Sequence, residues 1–156
     1  MIRRLNHAVL FVSDADRSAA FYTDIMGMRV VYEMPGAKFL RTEQSENDHD
    51  LGLFTVGDVP KPARAVGLYH LAWEVDTLDD LVAMRQRLAE AGALTGESDH
   101  GPSRSLYGRD PDGLEFEVMW EVPEEVKSEE DGFIGVRRLD LESDLERFGG
   151  DVSRNR

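Results

Sequence analysis

LNHAVLFVSDADRSAAFYTDIMGMR, residues 5–29, can be laid over LYHLAWEVDTLDDLVAMRQRLAEAGAL, residues 68–94, with few gaps, and this internal match decides the fold. The copies share punctuation more than identity. His7 answers His70 at an offset of 63 residues, Ser13-x-x-Asp16 answers Thr77-x-x-Asp80 at 64, and Gly27 answers Gly92 at 65. A hydroxyl residue followed three positions later by an acid is a capping box, because the hydroxyl takes a free helix amide and the acid favours the positive helix end. A glycine just past the last periodic residue suits the left-handed backbone that closes a helix. Each copy therefore contains a helix bounded by its own start and stop signals. Phe21 and Ile25 in the first, and Leu81, Met84 and Leu88 in the second, recur at helical spacing and predict one apolar packing stripe each.

Around these helices the chain reads as strands. One precedes each helix, and extended or alternating stretches follow at 29–34, 36–42 and 49–56 in the first half and at 103–108 and 113–120 in the second. Each half is expected to be a β-α-β-β-β module, giving an α+β fold over residues 1–121 with modules 1–57 and 66–121. The link GDVPKPARAV at 57–66 carries two prolines and a glycine and separates the copies. Residues 122–156 form an acidic C-terminal extension, in which EEVKSEEDG breaks regular structure, DLESDLERF suits a short helix and GGDVSRNR is expected to fray. This extension is expected to be a partner-facing arm or disordered.

Composition narrows the function. A chain of 156 residues with 41% hydrophobic content can build one ordinary core. With 18 basic and 31 acidic residues the net charge is 18 − 31 = −13, which repels a phosphate backbone and argues against nucleic acid as a partner. Apolar runs such as AVLFV at 8–12 fall far below the roughly 20 residues that cross a bilayer, so no membrane partner is expected. The chain has no cysteine, which excludes disulfides, thiolate metal sites and a cysteine nucleophile. Its first residues lack the order of a signal peptide, so a cytoplasmic protein is expected.

Only four histidines occur, His7, His49, His70 and His100. His7 alternates with Leu5, Val9 and Phe11, and His70 with Leu68 and Ala72, so each of two equivalent strands offers one imidazole on one face. Taken singly, either is better explained as a packed core or rim residue. Their matched positions in the repeat favour a shared role. Asp110-Pro111-Asp112-Gly113 is a tight turn that launches the last strand of the second copy, LEFEVMW, and puts Glu117 among apolar neighbours. An unpartnered carboxylate is costly to bury there, although an exposed edge-strand position would also explain it. Two histidines and a carboxylate form the open set that holds non-haem Fe(II) with positions free for substrate and oxygen. His7, His70 and Glu117 are the candidate set.

The paired modules, the strand histidines and the DPDG turn followed by an acid resemble the vicinal oxygen chelate superfamily. Its members include glyoxalase I, methylmalonyl-CoA epimerase, antibiotic-binding resistance proteins and extradiol ring-cleaving dioxygenases. The resemblance implies curved mixed sheets wrapped around one metal pocket. Within the superfamily, His100-x5-Leu106-Tyr107-x2-Asp110-Pro111-Asp112-Gly113-x3-Glu117 is similar to the extradiol dioxygenase signature, from which it departs at Ser98, where Gly, Asn, Thr, Ile or Val is the family preference. Asp48-His49-Asp50-Leu51-Gly52-Leu53 resembles the segment that supplies the acid/base histidine of those enzymes, with Asp48 standing for the first histidine of the usual pair. Glyoxalases and epimerases use a fourth ligand from the strand ending the first module. By the repeat offset that position falls near Gly52, and no side chain from 51 to 56 can ligate except, weakly, Thr55.

The resemblance thus implies an enzyme of the extradiol dioxygenase type, with Fe(II) or Mn(II) held by His7, His70 and Glu117 and with a small aromatic diol and O2 as substrates. His49 would carry a proton and stabilise reduced oxygen, while His100 and Tyr107 would hydrogen-bond the diol. A homodimer is expected. The alternatives are a metal-dependent isomerase or lyase of the same fold and a sequestering protein for a small aromatic antibiotic. Candidate pocket-lining aromatics are Phe39, Phe54 and Trp73, whose faces the sequence alone does not assign.

Overall fold

A computed structural model describes residues 1–60 and 66–153. The first half runs β1 (Ala8–Val12), α1 (Ala15–Asp24), β2 (Arg29–Met34), β3 (Ala37–Arg41) and β4 (Leu51–Thr55). The second repeats the order as β5 (His70–Glu74), α2 (Leu78–Glu90), β6 (Leu94–Asp99), β7 (Ser103–Arg109) and β8 (Glu115–Glu121), and a 3₁₀ turn at Glu129–Gly132 and α3 (Leu141–Phe148) follow. Each half makes one four-stranded mixed sheet, in the order β1-β4-β3-β2 and β5-β8-β7-β6. The first and last strands of each module pair in parallel and the others antiparallel. The chain divides into two compact units, Met1–Gly67 with Asp110–Gly113, and Leu68–Arg109 with Leu114–Arg156. Of the expected linker, residues 61–65 lie outside the described residues, as do 154–156 of the expected frayed end.

The helix signals hold in the second unit and shift in the first. Thr77 and Asp80 form the expected capping box on α2, whose Leu78, Leu81, Met84 and Leu88 are buried. In α1 the cap is Asp14, not Ser13: the Asp14 carboxylate accepts from the Asp16 and Arg17 amides, while the Ser13 hydroxyl accepts from Arg17. Two acceptors compete for the same amides there, and the carboxylate wins. The buried face of α1 is Ala15, Ser18, Ala19 and Tyr22, with Phe21 and Ile25 only half-buried, so small residues set the close approach of α1 to β3 and β4. Both helices end as expected, with Gly27 at φ 73° and Gly92 at φ 66°.

The Asp110–Gly113 turn does more than start β8. Asp112 accepts from the Ser13 amide at 3.1 Å and the Ser18 hydroxyl at 3.2 Å and pairs with Arg17 at 2.6 Å, and Tyr22 Oη donates to Asp110 at 3.2 Å. Burial, and then the charge of Asp110, push the Tyr22 phenol well above its usual range. Ser13, Ser18 and Arg17 hold Asp112 below the usual carboxylate range, against a burial effect that would raise it.

The C-terminal extension is not a free arm. In the second unit α3 occupies the expected stretch, and the fully buried Trp120 indole donates to the Val152 carbonyl at 3.2 Å. Arg104, 2% exposed, pairs with Asp99 at 3.0 Å, Asp131 at 3.2 Å and Asp144 at 2.9 Å. Burial would raise Asp131, but the Ser128 amide, Arg147 and Arg104 outweigh it and hold the carboxyl below its ordinary range. Its folded value lies below its unfolded one, so its stabilisation is complete above the ordinary carboxylate range and is lost as pH falls through the folded value. Arg104→Ala leaves buried carboxylates without their shared cation and is expected to cost about 3–5 kcal/mol in denaturant unfolding. A loss below about 1 kcal/mol, the usual worth of a surface pair, would show that the network does not hold the extension. Among the described residues no helix is long and apolar enough to cross a membrane.

Candidate functional site

Register assigns the faces that the sequence left open. In the second unit Ala72 of β5 and Tyr107 of β7 both pair with Glu117, and His70 pairs with Glu115, so His70, Tyr107 and Glu117 lie on one face of the sheet. β8 is a central strand flanked by β5 and β7, which removes the edge-strand explanation of Glu117. Its carboxylate stands 3.1 Å from His70 Nε2, with the two side chains 12% and 25% exposed. His70 Nδ1 is buried with no hydrogen-bond partner. Trp73 pairs with Val118 on the opposite, α2-covered face and does not share the histidine side.

Glu117 is joined to two further candidates. Tyr107 Oη lies 3.4 Å from Glu117 Oε1 and 2.7 Å from His100 Nε2, and His100 Nδ1 lies 2.9 Å from the Gly135 carbonyl. Burial and then the Glu117 charge raise the Tyr107 phenol above its usual range. A carbonyl only accepts, so His100 carries a proton on Nδ1, and in the neutral ring Nε2 is then the acceptor for the Tyr107 hydroxyl. The structure thus brings His70, Glu117, Tyr107 and His100 into one chain of contacts. Gly135 belongs to the extension and carries no side-chain signal by which the sequence could have marked it.

In the first unit, His7 is exposed and stands just before β1 rather than within it. Its Nδ1 lies 2.9 Å from the Asn6 amide oxygen, which fixes the proton on Nδ1 and leaves Nε2 with a lone pair. Asn6 in turn donates to Asn47, and Asn47 donates to Asp50 at 2.7 Å. The His49 ring centroid is 4.4 Å from that of His7 and 5.1 Å from that of Phe39, and Phe39 meets Phe54 edge-on at 5.7 Å. His7 and His49 therefore share an aromatic face with Phe39 and Phe54. The orienting roles of Asn6 and Asn47 had no periodic or motif signal in the sequence.

The two registers are also superimposable position by position. Gly52 pairs with Val9 and Phe39, as Glu117 pairs with Ala72 and Tyr107. Gly52 is thus the counterpart of Glu117, and the first module presents no side chain where the second presents its carboxylate. A Cβ at Gly52 would meet Val9, Phe39 and Phe54 at 3.4–3.6 Å, ordinary contact with apolar neighbours. Among the described residues no three His, Cys, Asp or Glu side chains are gathered at metal-holding spacing. The pair that the structure does assemble, an imidazole nitrogen and a carboxylate oxygen, is the mixed donor chemistry that divalent iron and manganese accept.

Residues 4–118 match the model of the glyoxalase/bleomycin resistance protein/dioxygenase superfamily, and the chain belongs to that family. It is 37% identical over 129 residues to a biphenyl-2,3-diol 1,2-dioxygenase of Rhodococcus globerulus, covering 78% of this chain and 67% of that protein. It is 29% identical over 153 residues to a catechol-2,3-dioxygenase of Bacillus subtilis (strain 168), covering 93% of this chain and 52% of that protein, so the chain spans about half of this relative. Among solved structures, a glyoxylase/bleomycin resistance protein/dioxygenase domain from Frankia sp. EAN1pec is similar with a TM-score of 0.64 and 25% identity, covering 78% of this chain and 94% of that one. These likenesses agree with the module order, sheet topology and resemblance read from the sequence.

Proposed function

We propose that the protein is an extradiol ring-cleaving dioxygenase acting on a small aromatic diol with O2. The observation that carries the reading is the His70–Glu117–Tyr107–His100 chain, a donor pair continuous with two hydrogen-bonding groups. The dioxygenase names of the relatives support it. His7, His70 and Glu117 would hold divalent iron, or manganese, which share a preference for such nitrogen and oxygen donors. When bound, such an ion would supply a Lewis-acid and redox centre for the diol oxygens and O2. Gly52, the counterpart of Glu117 in the first module, offers no side-chain donor, so a metal held by those three residues would keep positions for these substrates.

The residues have separable tasks. Asn6 fixes the His7 tautomer so that Nε2 is the ligating atom. Tyr107 would accept a hydrogen bond from the diol and hold its oxygens in register with the ring bond to be opened, and His100, whose two nitrogens face the Gly135 carbonyl and Tyr107, would orient that hydroxyl. His49 accepts a diol proton and returns it as the ring opens, and Phe39 and Phe54 offer the aromatic substrate an apolar wall beside it. Both oxygen atoms enter the product as the carbon–carbon bond beside the diol breaks.

Purified protein reloaded anaerobically with Fe(II) is expected to consume O2 with at least one member of a panel of alkyl- and aryl-substituted catechols, yielding a coloured ring-opened product in proportion. An oxygen electrode and a recording spectrophotometer suffice. No uptake with any catechol, together with turnover of a hemithioacetal or an acyl-CoA epimer, would move the protein to the isomerase branch. Tight binding of an aromatic antibiotic without bound metal or turnover would make it a sequestering protein.

A further inference from the structure

We propose that the C-terminal segment Asp131–Arg137 is a positioning strap that sets the tautomer of His100 and thereby the direction of the Tyr107 hydroxyl. The inference rests on the reading of Tyr107 as a substrate-facing group oriented by His100, and it concerns residues beyond those matched by the family model, which end at 118.

Three attachments bind this segment to the loop that carries His100. The Asp99 amide donates to the Arg137 carbonyl at 3.0 Å, and the Arg137 amide donates to the Asp99 carbonyl at 2.8 Å, a two-bond bridge one residue before the histidine. The Arg137 guanidinium pairs with the Asp99 carboxylate at 3.0 Å and lies 4.6 Å over the Phe133 ring. Arg104, through Asp99 and Asp131, ties both segments to one buried cation. On the other side of His100, Gly101 has φ 90° and a side chain there would collide with the Phe133 carbonyl. The strap is therefore seated against the loop on both flanks of the imidazole.

The seating has a chemical consequence. The Gly135 carbonyl, 2.9 Å from His100 Nδ1, demands a proton on that nitrogen, whereas a free neutral imidazole prefers it on Nε2. With Nδ1 protonated, Nε2 must accept, and the single Tyr107 proton, 2.7 Å away, goes to His100. The hydroxyl reaches two acceptors, and the 2.7 Å contact to His100 then takes the proton in preference to the longer one, 3.4 Å, to Glu117 Oε1. Without the strap the commoner tautomer would present an N–H to Tyr107, turn the phenol proton towards Glu117 and occupy an oxygen needed for ligation. The strap keeps the carboxylate free by a contact two hydrogen bonds away.

The test is made on metal-free protein with ¹⁵N-labelled histidine, at about pH 8, above the ordinary histidine range. Long-range ¹H–¹⁵N spectra distinguish the two tautomers of each ring, and a His100→Asn variant assigns the signal. The parent is expected to hold His100 with hydrogen on Nδ1. Arg137→Ala and Phe133→Ala, which loosen the strap from its two exposed groups, should shift His100 towards the Nε2-protonated form, and Arg137→Lys should restore the parental pattern. In Fe(II)-loaded protein, the same two alanine variants should lose about tenfold in kcat with a smaller change in KM, within the range for groups that orient others at a metal site. An Nε2-protonated His100 in the parent, or a pattern unchanged in both alanine variants, would overturn the strap. A tautomer shift in protein that opens no catechol ring would leave the strap standing and refute the dioxygenase reading instead.

Discussion

Glu117→Ala protein, produced and reloaded with Fe(II) beside the parent, is expected to retain only a small fraction of the parent's metal by elemental analysis. Glu117 sits on the central strand β8 between two partners of its own face, so removing the carboxylate leaves the ladder intact and takes away one donor. Its loss is expected to exceed the roughly 10–100-fold that changes to orienting groups cost at metal sites, because in the proposed site a ligand itself would be deleted. His70→Ala should behave alike, since the imidazole 3.1 Å away supplies the neighbouring donor. His7→Ala should do the same from the first unit, where the ring is exposed and its removal disturbs no core. Circular dichroism should stay at the parental level in all three. Full metal in all three variants would refute the triad, and with it the argument from the repeat.

The repeat was legible because its signals are local. Caps, stop glycines and alternation act within a few residues, and they place α2, α3 and most strands close to their observed bounds. Where two local signals compete the outcome needs coordinates. Ser13 and Asp14 are both good caps, and the Ser13 amide and hydroxyl are engaged instead by Asp112 and Arg17, 99 residues away in the first case. Strand β6 escaped notice because LTGESD lacks apolar alternation. It is held by its ladder with β7, in which Gly96 pairs with Tyr107 and Glu97 with Leu106. The packing of the extension is hidden for a similar reason. Its acidic composition reads as solvated chain, yet Asp131 and Asp144 are acids whose cation, Arg104, lies in a strand that gives no sign of being buried.

Site chemistry divides along the same line. His70, Glu117, Tyr107 and His100 could be picked out because each has a rare or costly side chain at a telling position, and the structure joins them in one unit. The groups that orient His7 and His100 could not. Asn6, Asn47 and the Gly135 carbonyl act through hydrogen bonds to residues up to 41 positions distant, and polar residues in loops carry no pattern that distinguishes an orienting amide from a solvated one. The counterpart relation of Gly52 and Glu117 lies between these cases: the repeat offset predicts it, and register makes it definite.

His49→Gln is expected to keep metal and bind diol but to lose about 10²–10⁴ in turnover, or roughly 3–5 kcal/mol of barrier. His49 lies just ahead of β4, half-buried on the aromatic face, 4.4 Å between centroids from His7. Among the described residues its ring makes ring contacts and no hydrogen bond, so neither nitrogen is committed to a structural partner. A proton carrier needs that freedom, and glutamine, which preserves size and polarity but does not titrate, removes only the carriage. Stopped-flow spectra of the variant with substrate and O2 should show normal binding followed by slow product formation. Parental turnover across the pH range would make His49 an ordinary loop residue packed on Phe39. Parallel loss of metal would mean that His49 ligates in place of His7, a swap that their closeness makes chemically reasonable and that would end the symmetry argument for the strand histidines.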